Sequence, residues 1–430
     1  MRIRETIHSN PGQTLTVLDI GTKKVSCLIG RVDTVRGHTS KNRMVNEIHV
    51  IGFGHQASSG MRSGFVRDMA AAEHSVRAAV SQAEDMAGIQ VKNVLLSVAC
   101  GGLRSLNFRA SVDISGNSVR MQELDRAIQV GEQYAGNDGR QVLHLMPISY
   151  LLDGHGGVKD PLGMVGDKLA VDLHAVTADT QPLRNLCRVV ERSHLSIQGL
   201  VAAPYSSGLA AVAEDEARFG VTCIDIGGWT TTLSVFVEGH FVYADTIAMG
   251  GEQVTNDIAD ALSTTLDEAE RIKTFYGGLH SASSDTREMI AYTRVGEDFS
   301  TNNRITRAEL VDLIRPRMKE ILVSITERLE ESGMGELAGH RVVLTGGGSQ
   351  LPGLAQFSAS LLKKAVRIGR PCPVEGLPET ALGPAFSASV GLLMYPMQPH
   401  AVMGSVRQNP VARASNSYAG KFWEWISESF

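Results

Sequence analysis

Cys223-Ile224-Asp225-Ile226-Gly227-Gly228-Trp229-Thr230-Thr231-Thr232 is the stretch from which the rest of the chain reads. The apolar run Val221 to Ile226 is too short for a typical helix and suits a buried strand. Gly227 and Gly228 break it, and an alternating pattern resumes over Thr231 to Val237, so the spacing predicts a strand, a tight glycine turn and a returning strand. Such a turn aims backbone N–H groups at one point, and glycine, lacking Cβ and tolerating positive φ, lets an anion approach closely. Asp225, just before the turn, stands where it would hold a hydrated Mg²⁺ beside that anion. Alone, the string fits an ordinary hairpin with an incidental Asp equally well.

A second copy shifts the balance. Leu15 to Leu18 is again a short apolar run, followed by Asp19-Ile20-Gly21-Thr22-Lys23-Lys24 and the alternating segment Val25 to Val32. Two such units half a chain apart predict a duplicated architecture with the loops facing across a cleft. A third loop fits the scheme: Val342 to Leu344 runs into Thr345-Gly346-Gly347-Gly348, with Leu351 and Pro352 reopening a helix. Together the three loops point to a nucleotide cleft between related halves.

With these motifs the chain resembles the actin, DnaK-type chaperone and sugar kinase superfamily, and within it the FtsA family of bacterial cell-division proteins. The similarity runs from Leu15 to Leu393. It rests on Asp19-Ile20-Gly21-Thr22, Gly60-Met61, Asp225-Ile226-Gly227-Gly228, Val343-Leu344-Thr345-Gly346-Gly347, Val366-Arg367-Ile368-Gly369 and Ser389-Val390-Gly391-Leu392-Leu393. The resemblance implies an α/β, actin-like two-lobed fold of duplicated ribonuclease-H-like halves, with a subdomain inserted in the first half. It also implies binding of ATP with Mg²⁺. Gly21, Thr22, Lys23, Gly227, Gly228 and Thr230 would surround the phosphates, and Asp19 and Asp225 would hold the metal through water. Gly346, Gly347 and Gly348 would contact the adenosine, with Gly251 and Glu252 completing the nucleotide set. Glu270 and Lys273, three apart on one helix face, would reach ribose and adenine, although that spacing also fits a surface ion pair. No catalytic residue is expected. Filament actins of the MreB kind carry Glu before the connector proline to position water, whereas here Ala203 precedes Pro204, so hydrolysis should be slow at most.

As a member of that family the chain would polymerise at the inner face of the cytoplasmic membrane at the division septum, tether the FtsZ ring there and recruit later division proteins. The FtsZ C-terminal tail would dock on a small subdomain near residues 279–331, where Arg304, Arg307 and Arg315 form a cationic rim; solvated helix-end charges are the plainer reading of those arginines. An actin-like pilus-assembly ATPase and a small-molecule kinase are the alternatives on the same fold.

The pattern divides the chain into a first lobe at 14–93, an insertion at 94–178, the lobe's return at 179–201 and a second lobe at 202–395. A linker at 396–419 follows, then an amphipathic segment at 420–430. Within this plan Thr180 is expected to cap the helix that follows the insertion. With 430 residues and 43% hydrophobic content the chain can bury more than one core. A net charge of −5 with scattered Lys and Arg argues against nucleic acid. Five dispersed cysteines without a Cys-X-X-Cys pair read as buried thiols rather than a zinc site. No Walker, dinucleotide, hydrolase-elbow or zinc-protease string occurs. The N-terminus lacks the apolar core of a signal peptide, and no run is long enough to span a membrane. In the tail, Phe422, Trp423, Trp425, Ile426 and Phe430 fall within an arc of about 160° at 100° per residue, the pattern of an interfacial membrane helix.

Overall fold

The computed structural model describes residues 12–36, 44–136, 139–280, 282, 284–297 and 303–398. Two five-stranded sheets share one plan. In the first, Thr14–Ile20 pairs antiparallel with Lys24–Arg36, which pairs antiparallel with Met44–Ala57. On its other side Thr14–Ile20 runs parallel to Asn93–Val98, and that strand to Ser196–Ala202. The second sheet repeats this with Val221–Ile226, Thr231–Val237, His240–Ile247, Arg341–Thr345 and Ala365–Ile368 in the equivalent places. Five strands in one order and one set of directions, twice, establish the duplication.

Helix Met69–Ala87 packs its Ala72, Val76, Ala79 and Ala83 face on the first sheet. Asp68 caps it by accepting from Ala70 and Ala71 N–H, and Gly88 ends it at φ 65°. In the second lobe Thr306 caps Arg307–Glu331 through a reciprocal pair with Glu309, and the helix continues through Pro316.

Two helices exchanged between the lobes join them. Ala203–Ala211 leaves the first sheet and packs on the second, while Ser387–Met394 leaves the second lobe and packs on the first sheet. Where they cross, a Cβ on Gly391 would overlap the Ser206 carbonyl, so only glycine permits the approach.

The insertion is a four-stranded sheet ordered Arg104–Asp113, Lys168–Asp179, Arg140–Leu152, His155–Val158, covered by helix Met121–Ala135. Its own core includes Phe108, Leu124, Ala127, Leu145, Leu169 and Leu173. Residues 94–98, expected to open the insertion, instead form the fourth strand of the first sheet: Val94, Leu95 and Leu96 are fully buried there, on the register of Val17 and Leu18. Thr180 is also not a cap. Asp179 takes that place without a side-chain capping bond, and the Thr180 hydroxyl donates to Gly139 O.

Although spliced into the first lobe, the insertion reaches both. His144 Nε2 accepts the Ala202 N–H at 2.8 Å, next to Tyr205 and Tyr395. His174 Nδ1 lies 2.8 Å from Phe241 O, and Asn107 donates to Val242 O at 3.2 Å, both acceptors on the edge strand of the second sheet.

Candidate nucleotide site

Both Asp-X-Gly turns are built the same way. Gly21 N–H donates to Lys24 O and Gly227 N–H to Thr230 O, each at 2.9 Å, closing the hairpins. Asp19 stands opposite Ser26 and Asp225 opposite Thr232, one pair before the turn in each case. Positive φ plays no part at Gly21, Gly227 or Gly228, contrary to expectation; what these positions require is space. A Cβ on Gly21 or Gly227 would press on the carbonyl that closes its own turn, and one on Gly228 would lie 2.7 Å from Lys23 Cγ in the opposite hairpin. The third loop does use the left-handed region: Gly346 has φ 82°, and its missing Cβ leaves room for the Asp225 carboxylate.

The turns face each other. Trp229 N–H donates to Thr22 Oγ1 at 3.2 Å, and Lys23 Nζ lies 2.6 Å from Glu252 Oε2, an ion pair without hydrogen-bond alignment. A cavity of about 180 Å³ between them is lined by Asp19, Gly21, Thr22, Lys23, Asp225, Gly227, Gly228, Thr230, Gly346 and Gly347. Gly251 and Glu252 start the next helix with their N–H groups on Gly227 O and Gly228 O. Lys273 Nζ bonds Glu270 at 2.7 Å and Gly251 O at 3.0 Å, so these two residues adjoin the second turn and also form the ion pair that their spacing allows. Gly348 lies in the short 3₁₀ turn Gly347–Gln350, tight against Ile226.

Electrostatically the floor of the cleft is an acidic pair with one lysine. Burial raises the Asp19 carboxyl above its usual range, and the Lys24 charge with the Ser97 and Ser389 hydroxyls only partly offsets this. Burial lifts Asp225 to about 6, against a hydrogen bond from Ser207 and with repulsion from Asp19. Lys24 is pushed down to about 8 by burial, opposed by both carboxylates. Two carboxylates supply the hard oxygens that Mg²⁺ prefers, and Mg²⁺ keeps several of its waters. Among the described residues no group of three metal-ligating side chains exists, so an ion here would be held largely through water. The buried Thr232 Oγ1 beside the cavity has no partner, an orphan that a bound polar group would satisfy.

Lys24, Ser207 and Thr232 were not singled out by the motifs. Lys24 was legible: it opens a strand on the same face as Ser26, and that face meets the crossing helix, where Ser26 bonds Ser389 at 2.6 Å. Ser207 carried no such signal, because it reaches Asp225 only through the crossing of the lobes.

The family model described as Cell division protein FtsA matches residues 222–391, and the SHS2 domain inserted in FTSA matches residues 101–177. The Cell division protein FtsA of Agrobacterium fabrum (strain C58) is 41% identical over 429 residues, covering 99% of this chain and 96% of that one. The chain belongs to the FtsA cell division protein family. Membership favours a division role over the pilus and kinase alternatives. Among solved structures, the PilM-PilN type IV pilus biogenesis complex superposes with a TM-score of 0.62 at 17% identity, over 90% of this FtsA-family chain and 100% of that one. MreB5 of Spiroplasma citri bound to ADP gives 0.50 at 15%, over 89% and 96%. At such identities the likeness carries the fold alone, which is actin-like.

The remaining candidate residues of this FtsA-family chain lie apart from the cleft. Arg307 starts the capped helix and pairs with Glu288 at 3.2 Å and Asp285 at 3.9 Å. Arg315 lies 3.8 Å from Asp312 and donates to Leu279 O, and Arg304 sits opposite Ala291 in a short hairpin. The expected cationic rim is therefore largely balanced by carboxylates of its own subdomain. Phe422, Trp423, Trp425, Ile426 and Phe430, with the linker from 399 onward, lie outside the described residues. No helix among the described residues is long and apolar enough to cross a membrane.

Proposed function

We propose that this chain binds Mg-ATP between its lobes and, in that state, polymerises at the inner face of the cytoplasmic membrane, where it tethers FtsZ through the FtsZ tail and recruits later division proteins. The observation that carries the reading is the pair of matched hairpins closing on one cavity in a chain of the FtsA family. The phosphates would lie against the turn backbones at Gly21, Thr22, Gly227 and Gly228. Asp19 and Asp225 would hold Mg²⁺, which supplies charge neutralisation at the phosphates when bound. Ala203 lines the cavity and cannot orient water, which supports a nucleotide used to set lobe geometry rather than to be turned over. Positioned base assistance is commonly worth about 10²- to 10⁴-fold in rate, so its loss would leave ATP bound and rarely cleaved.

Attachment rests on the amphipathic segment 420–430. One short segment with Lys421 opposed by Glu424 and Glu428 would bind lipid weakly, so stable attachment requires many tails in one polymer, with an avidity gain of about 10² to 10⁴. The test is cosedimentation with anionic liposomes, with and without Mg-ATP. The full chain should pellet with lipid in the presence of ATP, and deletion of Gly420 to Phe430 should abolish this while ATP affinity is unchanged. Lipid binding by the shortened chain would remove the anchor from this segment, and failure to bind ATP would remove the nucleotide reading.

A further inference from the structure

We propose that Arg62 is a sensor of the terminal phosphate, leaving its stack on Trp229 for the outermost phosphate of a bound nucleoside triphosphate. This rests on the nucleotide reading and adds to it a basis for telling triphosphate from diphosphate.

Arg62 lies in a tight hairpin, Met61–Arg62 against Phe65–Val66, whose turn residues Ser63 and Gly64 have φ of 51° and 77°. Two positive φ values in succession define a rigid two-residue connection. The hairpin is fastened to the first lobe: Arg67 and Asp68 N–H both donate to Gly60 O, and Ser58 N–H donates to Lys23 O at 3.0 Å. Its tip rests on the second lobe, where a Cβ on Gly64 would stand 3.5 Å from Thr230 Cγ2. This hairpin and both Asp-X-Gly turns therefore converge at Thr22, Trp229 and Thr230, the phosphate end of the cleft.

Three cations surround that point, and two are committed. Lys24 donates to Ala385 O and sits 3.3 Å over the Phe386 ring. Lys23 is paired with Glu252. Arg62 has no carboxylate partner among the described residues; its guanidinium carbon lies 4.8 Å from the centroid of the Trp229 ring. An exposed cation–π contact is weak, whereas a guanidinium fork on phosphate makes short, charge-assisted and often bidentate bonds. Arg62 thus exchanges a weak partner for a strong one only when a third phosphate extends to the mouth of the cleft. The flat face of Trp229 is what holds Arg62 in this place.

The chain has three tryptophans, Trp229, Trp423 and Trp425, so full-length protein with Trp423→Phe and Trp425→Phe reports on Trp229 alone. Titration with the magnesium complexes of AMPPNP and ADP, followed by fluorescence and by calorimetry, tests the assignment. AMPPNP should change Trp229 emission and ADP should do so far less. Arg62→Gln should weaken AMPPNP binding about tenfold, the scale of a charge-assisted hydrogen bond, with ADP affinity kept within about twofold as proof of a folded cleft. Equal weakening of both nucleotides, or of neither, overturns the assignment. If neither nucleotide binds the chain with Arg62 intact, the nucleotide reading fails and the sensor with it.

Discussion

Replacing His144 with Gln should make stability less dependent on pH in the acid range. His144 lies wholly inside the junction of the insertion with the connector, accepting the Ala202 N–H at 2.8 Å between the rings of Tyr205 and Tyr395. Burial, with the neighbouring His174, lowers it from 6.5 to about 3. The unfolded chain takes up a proton on this side chain below pH 6.5 that the folded chain refuses until about 3. Its contribution is therefore complete above 6.5 and is lost as pH falls through that window. One unit is worth about 1.4 kcal/mol, so the loss is about 2 kcal/mol at pH 5 and about 4 kcal/mol at pH 3. His174, lowered to about 4 by burial, acts in the same direction. Asp225 opposes them: raised to about 6, it favours the folded chain increasingly as pH falls from 6 towards 3.8, so the slope of the unsubstituted protein is partly masked. The difference between the two proteins removes that background. Gln keeps an acceptor for Ala202 N–H and does not titrate, so His144→Gln should cost about 1 to 2 kcal/mol at pH 7.5, from lost ring packing. That deficit should vanish near pH 5. Urea unfolding followed by circular dichroism at pH 7.5, 6.0 and 5.0 measures it. A deficit that stays constant over those three values would refute the argument, because His144 would then titrate alike in both states.

Gly346→Ala should destabilise the second lobe by about 2 to 5 kcal/mol, combining left-handed backbone strain with overpacking, because its Cβ would meet the Asp225 carboxylate and Ile226 O. In the same loop Gly347→Ala, whose nearest new neighbour is Ala385 Cβ at 3.9 Å, should melt within a few degrees of the parent; equal melting temperatures for both variants would dismiss the steric account. Changing Arg304 and Arg307 together to Glu should weaken binding of an FtsZ tail peptide at least fivefold and leave ATP affinity unchanged. Because Arg307 already pairs with Glu288 and Asp285, a melting decrease of a few degrees should accompany it, and unchanged peptide affinity would exclude these arginines from the partner surface.

The parts of the fold that were legible in sequence are those governed by local period and turn chemistry. Both Asp-X-Gly hairpins depend on residues within a few positions of one another, and both are found in place. Long-range pairing carried no such signal. Residues 94–98 read as the start of the insertion because they precede it in the chain, yet their place is set by parallel pairing with a strand some eighty residues earlier. Thr180 was misread for a related reason: its hydroxyl is taken by Gly139 O, which the sheet of the insertion brings beside it. At the candidate site, the glycines were legible as a class but the reason for them was not. Gly21, Gly227 and Gly228 serve close approach, and the approach at Gly228 is to Lys23 of the other half, a neighbour no local pattern can name.

The duplication itself creates an electrostatic problem that the site resolves by departing from symmetry. Equal registers place Asp19 and Asp225 one pair before their turns, and the facing of the two halves then brings both buried carboxylates to one cavity. Burial and mutual repulsion work against ionising both, which is why Asp225 is lifted to about 6. A symmetric answer would place a lysine in each turn. The sequence instead has Lys23-Lys24 in the first turn and Trp229-Thr230 at the matching place in the second, so a single ammonium, Lys24, serves both acids. Lys24 is itself depressed only to about 8, so near pH 7 it largely keeps its proton. The floor of the cleft then sets two buried acids against a single ammonium. With one lysine between them the two acids would offer their oxygens to a divalent cation, and Trp229-Thr230 adds no side-chain charge beside an anion at the second turn.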